Sequence, residues 1–210
     1  METPLWKFDE TTDGVYEPRE DSFLLLDALE ADLKLIKEKC CPTIALEVGS
    51  GSGIIISAIS KQLNLSALCL ATDINPAACK ITLETAILNN VTVEVLRSDL
   101  INGLKLEGTI DLFVFNPPYI PSSEDEMFGM LDKAWAGSSQ GRSLIDRLFP
   151  ELPRIMSKRC VGYLVAIEEN NPDEMIKIIS SMGFDCLIVS LKKIIGEKLY
   201  IIRFSKGIIN

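Results

Sequence analysis

The stretch Thr43-Ile44-Ala45-Leu46-Glu47-Val48-Gly49-Ser50-Gly51-Ser52-Gly53 decides the fold. An apolar run of strand length enters a glycine-rich turn, and Ile54 to Leu63 follows with the pattern of a helix. Strand, glycine turn and helix in that order form the first βα unit of a nucleotide-binding sheet. Glycines let the backbone approach a ligand closely, and the helix start offers unpaired N–H groups. The spacing here is G-x-G-x-G, whereas a dinucleotide fingerprint would place its third glycine where Ile54 stands. Taken alone, the motif is also compatible with a flexible Gly/Ser turn that binds nothing.

Working outward, Ala67 to Asp73 and Val91 to Leu96 read as the next two strands, separated by a helix from Ala77 to Asn89. Ile110 to Phe115 is a fourth strand and ends abruptly at Asn116-Pro117-Pro118-Tyr119. Further strands are expected at Tyr163 to Ile167, Cys186 to Ile195 and Lys198 to Phe204, with a helix from Pro172 to Met182 before the last two. Those two, separated by Gly196-Glu197, read as a hairpin. The alternation predicts one α/β domain over 1–210: a doubly wound, mostly parallel seven-stranded sheet with a C-terminal antiparallel hairpin. Residues 1–14 are expected to be loose. Residues 15–40 supply an entry segment and a helix, with Phe23, Leu26, Leu29, Leu33 and Ile36 on one side. The sheet and its helices occupy 41–210.

Chemistry-bearing residues collect at the ends of the predicted strands. Glu47, two residues before the first glycine, is unfavourable beside a pyrophosphate but complements the cationic amino-acid end of S-adenosylmethionine. Asp73 ends the second strand where a ribose-binding carboxylate belongs, and Asp73-Ile74-Asn75-Pro76 reads equally as a helix cap and turn. Asp99 follows the third strand and could reach an adenine amino group while Leu100 touches the ring; a solvated loop aspartate is the plain alternative. In Asn116-Pro117-Pro118-Tyr119 the prolines remove two backbone donors, which leaves nearby carbonyls free to accept. Asn116 adds a side-chain acceptor and Tyr119 a flat face for stacking, so the tetrapeptide suits a planar NH2 group. An ordinary strand-to-turn exit uses the same residues.

In sequence these pieces are E-x-G-x-G-x-G, an acid after the second strand, an acid after the third and NPPY after the fourth. They resemble the class I S-adenosylmethionine-dependent methyltransferases, whose sheet is Rossmann-like. Val15-Tyr16-Glu17-Pro18-Arg19-Glu20-Asp21-Ser22 resembles the entry segment of the HemK-like glutamine methyltransferases. Leu46 to Gly53, Thr72 to Pro76, Phe115 to Tyr119, Ala134-Trp135-Ala136-Gly137 and Glu169-Asn170-Asn171-Pro172 resemble the eukaryotic branch that acts on the class I translation release factor. The resemblance implies N5-methylation of the glutamine in a Gly-Gly-Gln loop, with S-adenosylhomocysteine as product, and a small zinc-binding activator as heterodimer partner. It also implies that Tyr16, Ser22, Glu47, Gly49, Gly51, Asp73, Asp99, Leu100 and Asn116 hold the cofactor. Asn116, Pro117, Pro118 and Tyr119 would hold the acceptor, with Asn116, Pro117 and Tyr119 at the chemistry. Adenine N6 in DNA, a lysine of a protein such as histone, a non-catalytic cofactor-binding subunit and an NAD-dependent enzyme stay open as alternatives.

Composition narrows these choices. The chain has 210 residues, 47% of them hydrophobic, enough for a sizeable core. A formal net charge of −9 argues against a general nucleic-acid binder. The six cysteines include no C-x-x-C pair and histidine is absent, so no intrinsic metal site is expected, and the thiols point to a reducing compartment. Met1-Glu2-Thr3-Pro4 lacks the basic-then-apolar pattern of a signal sequence, so the cytoplasm is expected, with the nucleus as a second compartment. The irregular stretch Ile120 to Arg142 follows NPPY, and its length suits a lid over the acceptor site. Its Glu124-Asp125-Glu126 run suits plain solvation as well, and Trp135 suits packing. The Val91–Leu96 strand is expected at an open edge, where an added strand from the activator could pair.

Overall fold

β1 (Ile44–Val48) and β4 (Ile110–Phe115) carry nearly unbroken apolar side chains because both lie inside the sheet and are covered on both faces. The computed structural model describes residues 1–8, 14–64, 66–118 and 142–208. Among these, seven strands form one sheet in the order β3-β2-β1-β4-β5-β7-β6, with β2 at Leu68–Asp73, β3 at Glu94–Arg97, β5 at Met156–Ile167, β6 at Asp185–Ile194 and β7 at Glu197–Lys206. Pairs from β3 through β5 are parallel, and β7 is antiparallel to both β5 and β6. The predicted fold class therefore holds. Chain direction diverges at β1 and β4, so the crevice beyond their carboxyl ends is the switch point where α/β sheets bind ligands.

Alternation along the strands feeds two cores. Ala45, Leu112, Val114, Tyr163 and Val165 face α1 (Glu20–Ala31), α2 (Ile54–Leu63) and α3 (Pro76–Leu88). Leu46, Val48, Phe113, Phe115 and Leu164 face α4 (Ser143–Leu148), α5 (Leu152–Ile155) and α6 (Pro172–Ser181). α1 is buried on most of its circumference, with Leu24, Leu25, Leu26, Ala28 and Leu29 all inside. A single apolar stripe underestimates how deeply it is covered.

Three boundaries differ from expectation for identifiable reasons. The edge strand is Glu94–Arg97 rather than Val91–Leu96. Val91 N–H completes α3 by donating to Ala86 O, and the Thr92 carbonyl accepts from Ser60 Oγ on α2, so this backbone serves helices and not the sheet. The first helix stops at Ala31, and Leu35–Cys40 forms a separate π-helical segment. Between them Asp32 accepts from Tyr163 Oη at 2.9 Å and pairs with Arg203 at 2.9 Å, which clamps the end of α1 to β5 and β7. β5 begins at Met156, earlier than Tyr163, because the polar Ser157-Lys158-Arg159 hides the start of a strand whose remainder is fully apolar.

Residues 1–8, expected to be loose, are tied down. Leu5 exchanges two hydrogen bonds with the Asn89 side chain, Trp6 packs against Phe23, and the Met1 amino group pairs with Glu30.

Candidate active site

The glycine turn leaves β1 and is held by its neighbours. Gly49 and Ser50 N–H groups both donate to Thr72 O at the end of β2, at 2.8 and 3.1 Å. From α3, Thr82 and Thr85 reach down onto the same loop: Thr82 Oγ1 lies 2.8 Å from Ser50 Oγ and donates to Gly51 O, while Thr85 Oγ1 donates to Ser52 O. Both threonines are buried. Gly51 has φ +50° with no atom of the described residues within 4 Å of where a Cβ would sit, which leaves open space over its backbone. Gly53 has φ +77° and faces α3, so the third glycine serves helix packing.

Two carboxyl groups frame this turn. Glu47 is 2% exposed, and its Oε2 accepts from Ile56 N–H in the first turn of α2 at 2.9 Å. Burial holds its carboxyl well above the usual carboxylate range; the Ile56 N–H opposes the shift and Asp73 adds to it. Asp73 accepts from Gly51 N–H at 3.0 Å and from Asn75 N–H at 2.9 Å, so it joins the glycine turn to the end of β2. The capping role suggested for this segment falls to Asn75, whose side chain accepts from Ala77 N–H at the start of α3.

Asp99 is turned toward α4. Arg147 grips it with two bonds, at 3.1 and 2.6 Å, and Asn102 adds a third. Leu100 beside it takes φ +54°, in the left-handed region.

At the end of β4, Asn116 meets a residue that the sequence reading passed over. Asp21, 3% exposed in the first turn of α1, accepts from Asn116 Nδ2 at 2.9 Å through its Oδ2. Its Oδ1 takes the Ser22 N–H at 2.7 Å, the Ser22 hydroxyl at 3.3 Å and the Tyr16 hydroxyl at 3.3 Å. Tyr16 and Ser22 thus enter the site through Asp21. Asn116 Oδ1 is buried with no hydrogen-bond partner among the described residues. Pro117 is buried and Pro118 exposed, while Tyr119 and all of the expected lid Ile120 to Arg142 except Arg142 itself lie outside the described residues. Thr82, Thr85 and Arg147 were also missed. The buried polar pair at i and i+3 on α3 was the available signal for the threonines.

The residues brought together are therefore Asp21, Glu47, the glycine turn, Asp73 and Asn116, all at the carboxyl end of the parallel strands. A family model described as methyltransferase small domain matches residues 20–133, which spans this whole constellation. The chain belongs to that methyltransferase family. This methyltransferase is 43% identical over 196 residues to Methyltransferase HEMK2 of Mus musculus, an alignment that covers 92% of this chain and 90% of the mouse protein. It is 30% identical over 203 residues to the eRF1 methyltransferase catalytic subunit mtq2 of Schizosaccharomyces pombe, with 90% and 88% covered. Among solved structures, the E. cuniculi Mtq2-Trm112 complex, described as responsible for methylation of the eRF1 translation termination factor, aligns at 31% identity with a TM-score of 0.66. That match covers 91% of this methyltransferase and 98% of the E. cuniculi chain.

Proposed function

We propose that this methyltransferase uses S-adenosylmethionine to methylate N5 of the glutamine in the Gly-Gly-Gln loop of the class I translation termination factor. One observation carries the reading: Asn116 offers a buried acceptor oxygen, unpartnered among the described residues, at the end of β4 while its NH2 is tied to Asp21. A group that must receive a planar N–H donor needs such an acceptor.

The residues present fit the cofactor. Open space above Gly51 admits it, Glu47 matches its cationic amino-acid end, and Asp73 matches ribose hydroxyls. Bound there, S-adenosylmethionine supplies an electrophilic methyl group on a sulfonium. The chain's own task is to prepare the acceptor, because an amide nitrogen is a poor nucleophile with its lone pair delocalised into the carbonyl. Asn116 Oδ1 and the Pro117 carbonyl each accept one N–H of the glutamine amide, which fixes the plane of that amide and leaves its remaining face toward the methyl group. The same oxygens stabilise positive charge developing on nitrogen as the N–C bond forms and the C–S bond breaks. The excess proton leaves to water.

A small zinc-binding activator of the Trm112 kind pairs along the edge of β3. Ser98 N–H donates to Asp73 O, so by alternation Leu96 faces β2 while Val95 and Arg97 turn their backbone groups outward. Beside this edge, α3 shows Leu83, Ile87 and Leu88 to solvent, with Ile87 74% exposed, and Leu96 is exposed on the strand itself. Val95→Pro removes an outward donor and leaves the β2 ladder intact, so it should release the activator in a pull-down. Activator binding that survives both Val95→Pro and Ile87→Asp would remove the edge model. The enzyme acts in the cytoplasm, where termination occurs, and cell fractionation tests that placement.

Mass spectrometry after incubation with methyl-labelled S-adenosylmethionine and activator tests the acceptor. The label is expected on the Gly-Gly-Gln glutamine of the termination factor. Label confined to lysine or to adenine would replace this acceptor with one of the alternatives.

A further inference from the structure

We propose that Asp21 is a positioning residue of the transfer reaction: it locks the Asn116 amide in the one orientation that presents an acceptor oxygen to the substrate. The inference rests on the role of Asn116 given above and deepens it. An asparagine amide can rotate by half a turn and exchange its donor for its acceptor at almost no cost in shape. An Asn116 turned the wrong way would point NH2 hydrogens at the N–H hydrogens of the acceptor amide and repel them. An ionised carboxylate only accepts, so Asp21 Oδ2 at 2.9 Å selects the state in which Nδ2 faces α1 and Oδ1 faces the pocket.

Asp21 is itself immobilised. Three further donors from Ser22 and Tyr16 converge on its other oxygen, and the far end of α1 is clamped by Asp32 to Tyr163 and Arg203. A carboxylate that merely complements the helix dipole would sit in solvent in the first turn. Asp21 is instead 3% exposed and bonds a side chain 95 residues away. The carboxyl of Glu197, at the start of β7, is raised first by burial and then by Glu169 and Asp21. The Asp21 oxygen at the Nδ2 end polarises the Asn116 amide toward Oδ1, in the sense that stabilises a nitrogen becoming positive.

The near-isosteric Asp21→Asn tests the proposal on the full chain, with the activator present. The introduced amide can donate as well as accept, so it permits the rotated Asn116 side chain while keeping the packing. Its kcat for a Gly-Gly-Gln peptide should fall roughly 100-fold, the scale of a catalytic group displaced by about 1 Å. Cofactor affinity by calorimetry and the thermal midpoint should stay near wild type, a split that a purely structural role would not produce. A second readout is independent of activity: in 15N-labelled protein, one Asn116 side-chain amide proton should resonate downfield from its bond to a carboxylate and return upfield in Asp21→Asn. An unchanged amide resonance, or unchanged kcat in Asp21→Asn, overturns the proposal. Absence of methyl transfer in the wild type would overturn the functional reading instead, and the amide signature would still decide the role of Asp21.

Discussion

Gly51 and Gly53 stand two residues apart in the same turn, yet alanine at each should fail in a different way. At Gly53 the backbone has φ +77°, and an added Cβ would lie 2.6 Å from Thr82 Cα and 3.0 Å from Thr82 Cγ2. The left-handed conformation costs alanine about 1–2 kcal/mol. Forcing a methyl against helix backbone adds about 1–3 kcal/mol, because Thr82 Cα cannot swing aside as a side-chain tip can. Gly53→Ala should therefore lose about 2–5 kcal/mol, a fall in thermal midpoint of roughly 4–20 °C for a chain of this size. At Gly51 φ is +50° and no atom of the described residues lies within 4 Å of the added Cβ, so only the conformational cost of about 1–2 kcal/mol applies. The new methyl would occupy the space through which the cofactor reaches the backbone, and a clash of about 1–3 kcal/mol there weakens binding roughly 5- to 150-fold. Differential scanning fluorimetry and calorimetric titration with S-adenosylmethionine on both variants give the four numbers required. Midpoints that fall equally, or a Gly51→Ala protein with wild-type affinity, would refute the assignment of one glycine to the ligand and the other to α3.

Asn116→Ala should lower methyl transfer by roughly three orders of magnitude, since orientation and charge stabilisation vanish together, while cofactor affinity changes little; single-turnover kinetics beside calorimetry separate the two. Asp73→Ala should abolish measurable cofactor binding, and loss of its bonds to Gly51 and Asn75 should cost a further 1–3 kcal/mol or so of stability by urea unfolding. Glu47 predicts a pH dependence of binding. Burial raises its carboxyl, so in the free enzyme it holds a proton where a solvated glutamate would be ionised, whereas a cationic cofactor amino group demands the ionised form. Affinity should rise with pH and level off above the Glu47 pKa, with proton release detected by titration in buffers of different ionisation enthalpy. The same raised pKa makes the Glu47 contribution to stability greatest at low pH and lost as pH climbs through it, and Glu47→Gln should flatten both profiles.

The local alphabet settled much of this molecule in advance. Thr43 to Leu63 could be read as strand, turn and helix because each segment carries a period that only one backbone satisfies, and α2 begins and ends where the pattern does, at Ile54 and Leu63. Ile110 to Phe115 was equally legible, since a short apolar run stopped by Asn-Pro-Pro has no helical continuation. Glu47, Asp73 and Asn116 were recognisable because strand ends in an open α/β sheet are where ligands bind, and chain order alone places residues there.

What the sequence left open was every contact between residues far apart in the chain. Nothing near Asp21 announces that it will grip Asn116, because that bond exists only once α1 is laid beside β4 and clamped through Asp32. Asp99 looked available for a base, and only the packing of α4 supplies the Arg147 that holds it. The third glycine of the turn was given no role of its own beside Gly49 and Gly51, and its reason lies in Thr82 of the next helix. Likewise the edge strand begins at Glu94 because Ser60 of α2 takes the Thr92 carbonyl first. Periodicity and turn chemistry are properties of neighbours along the chain, so sequence alone determines them. The partner of a buried carboxylate depends on how separate elements pack, and only the tertiary structure decides it.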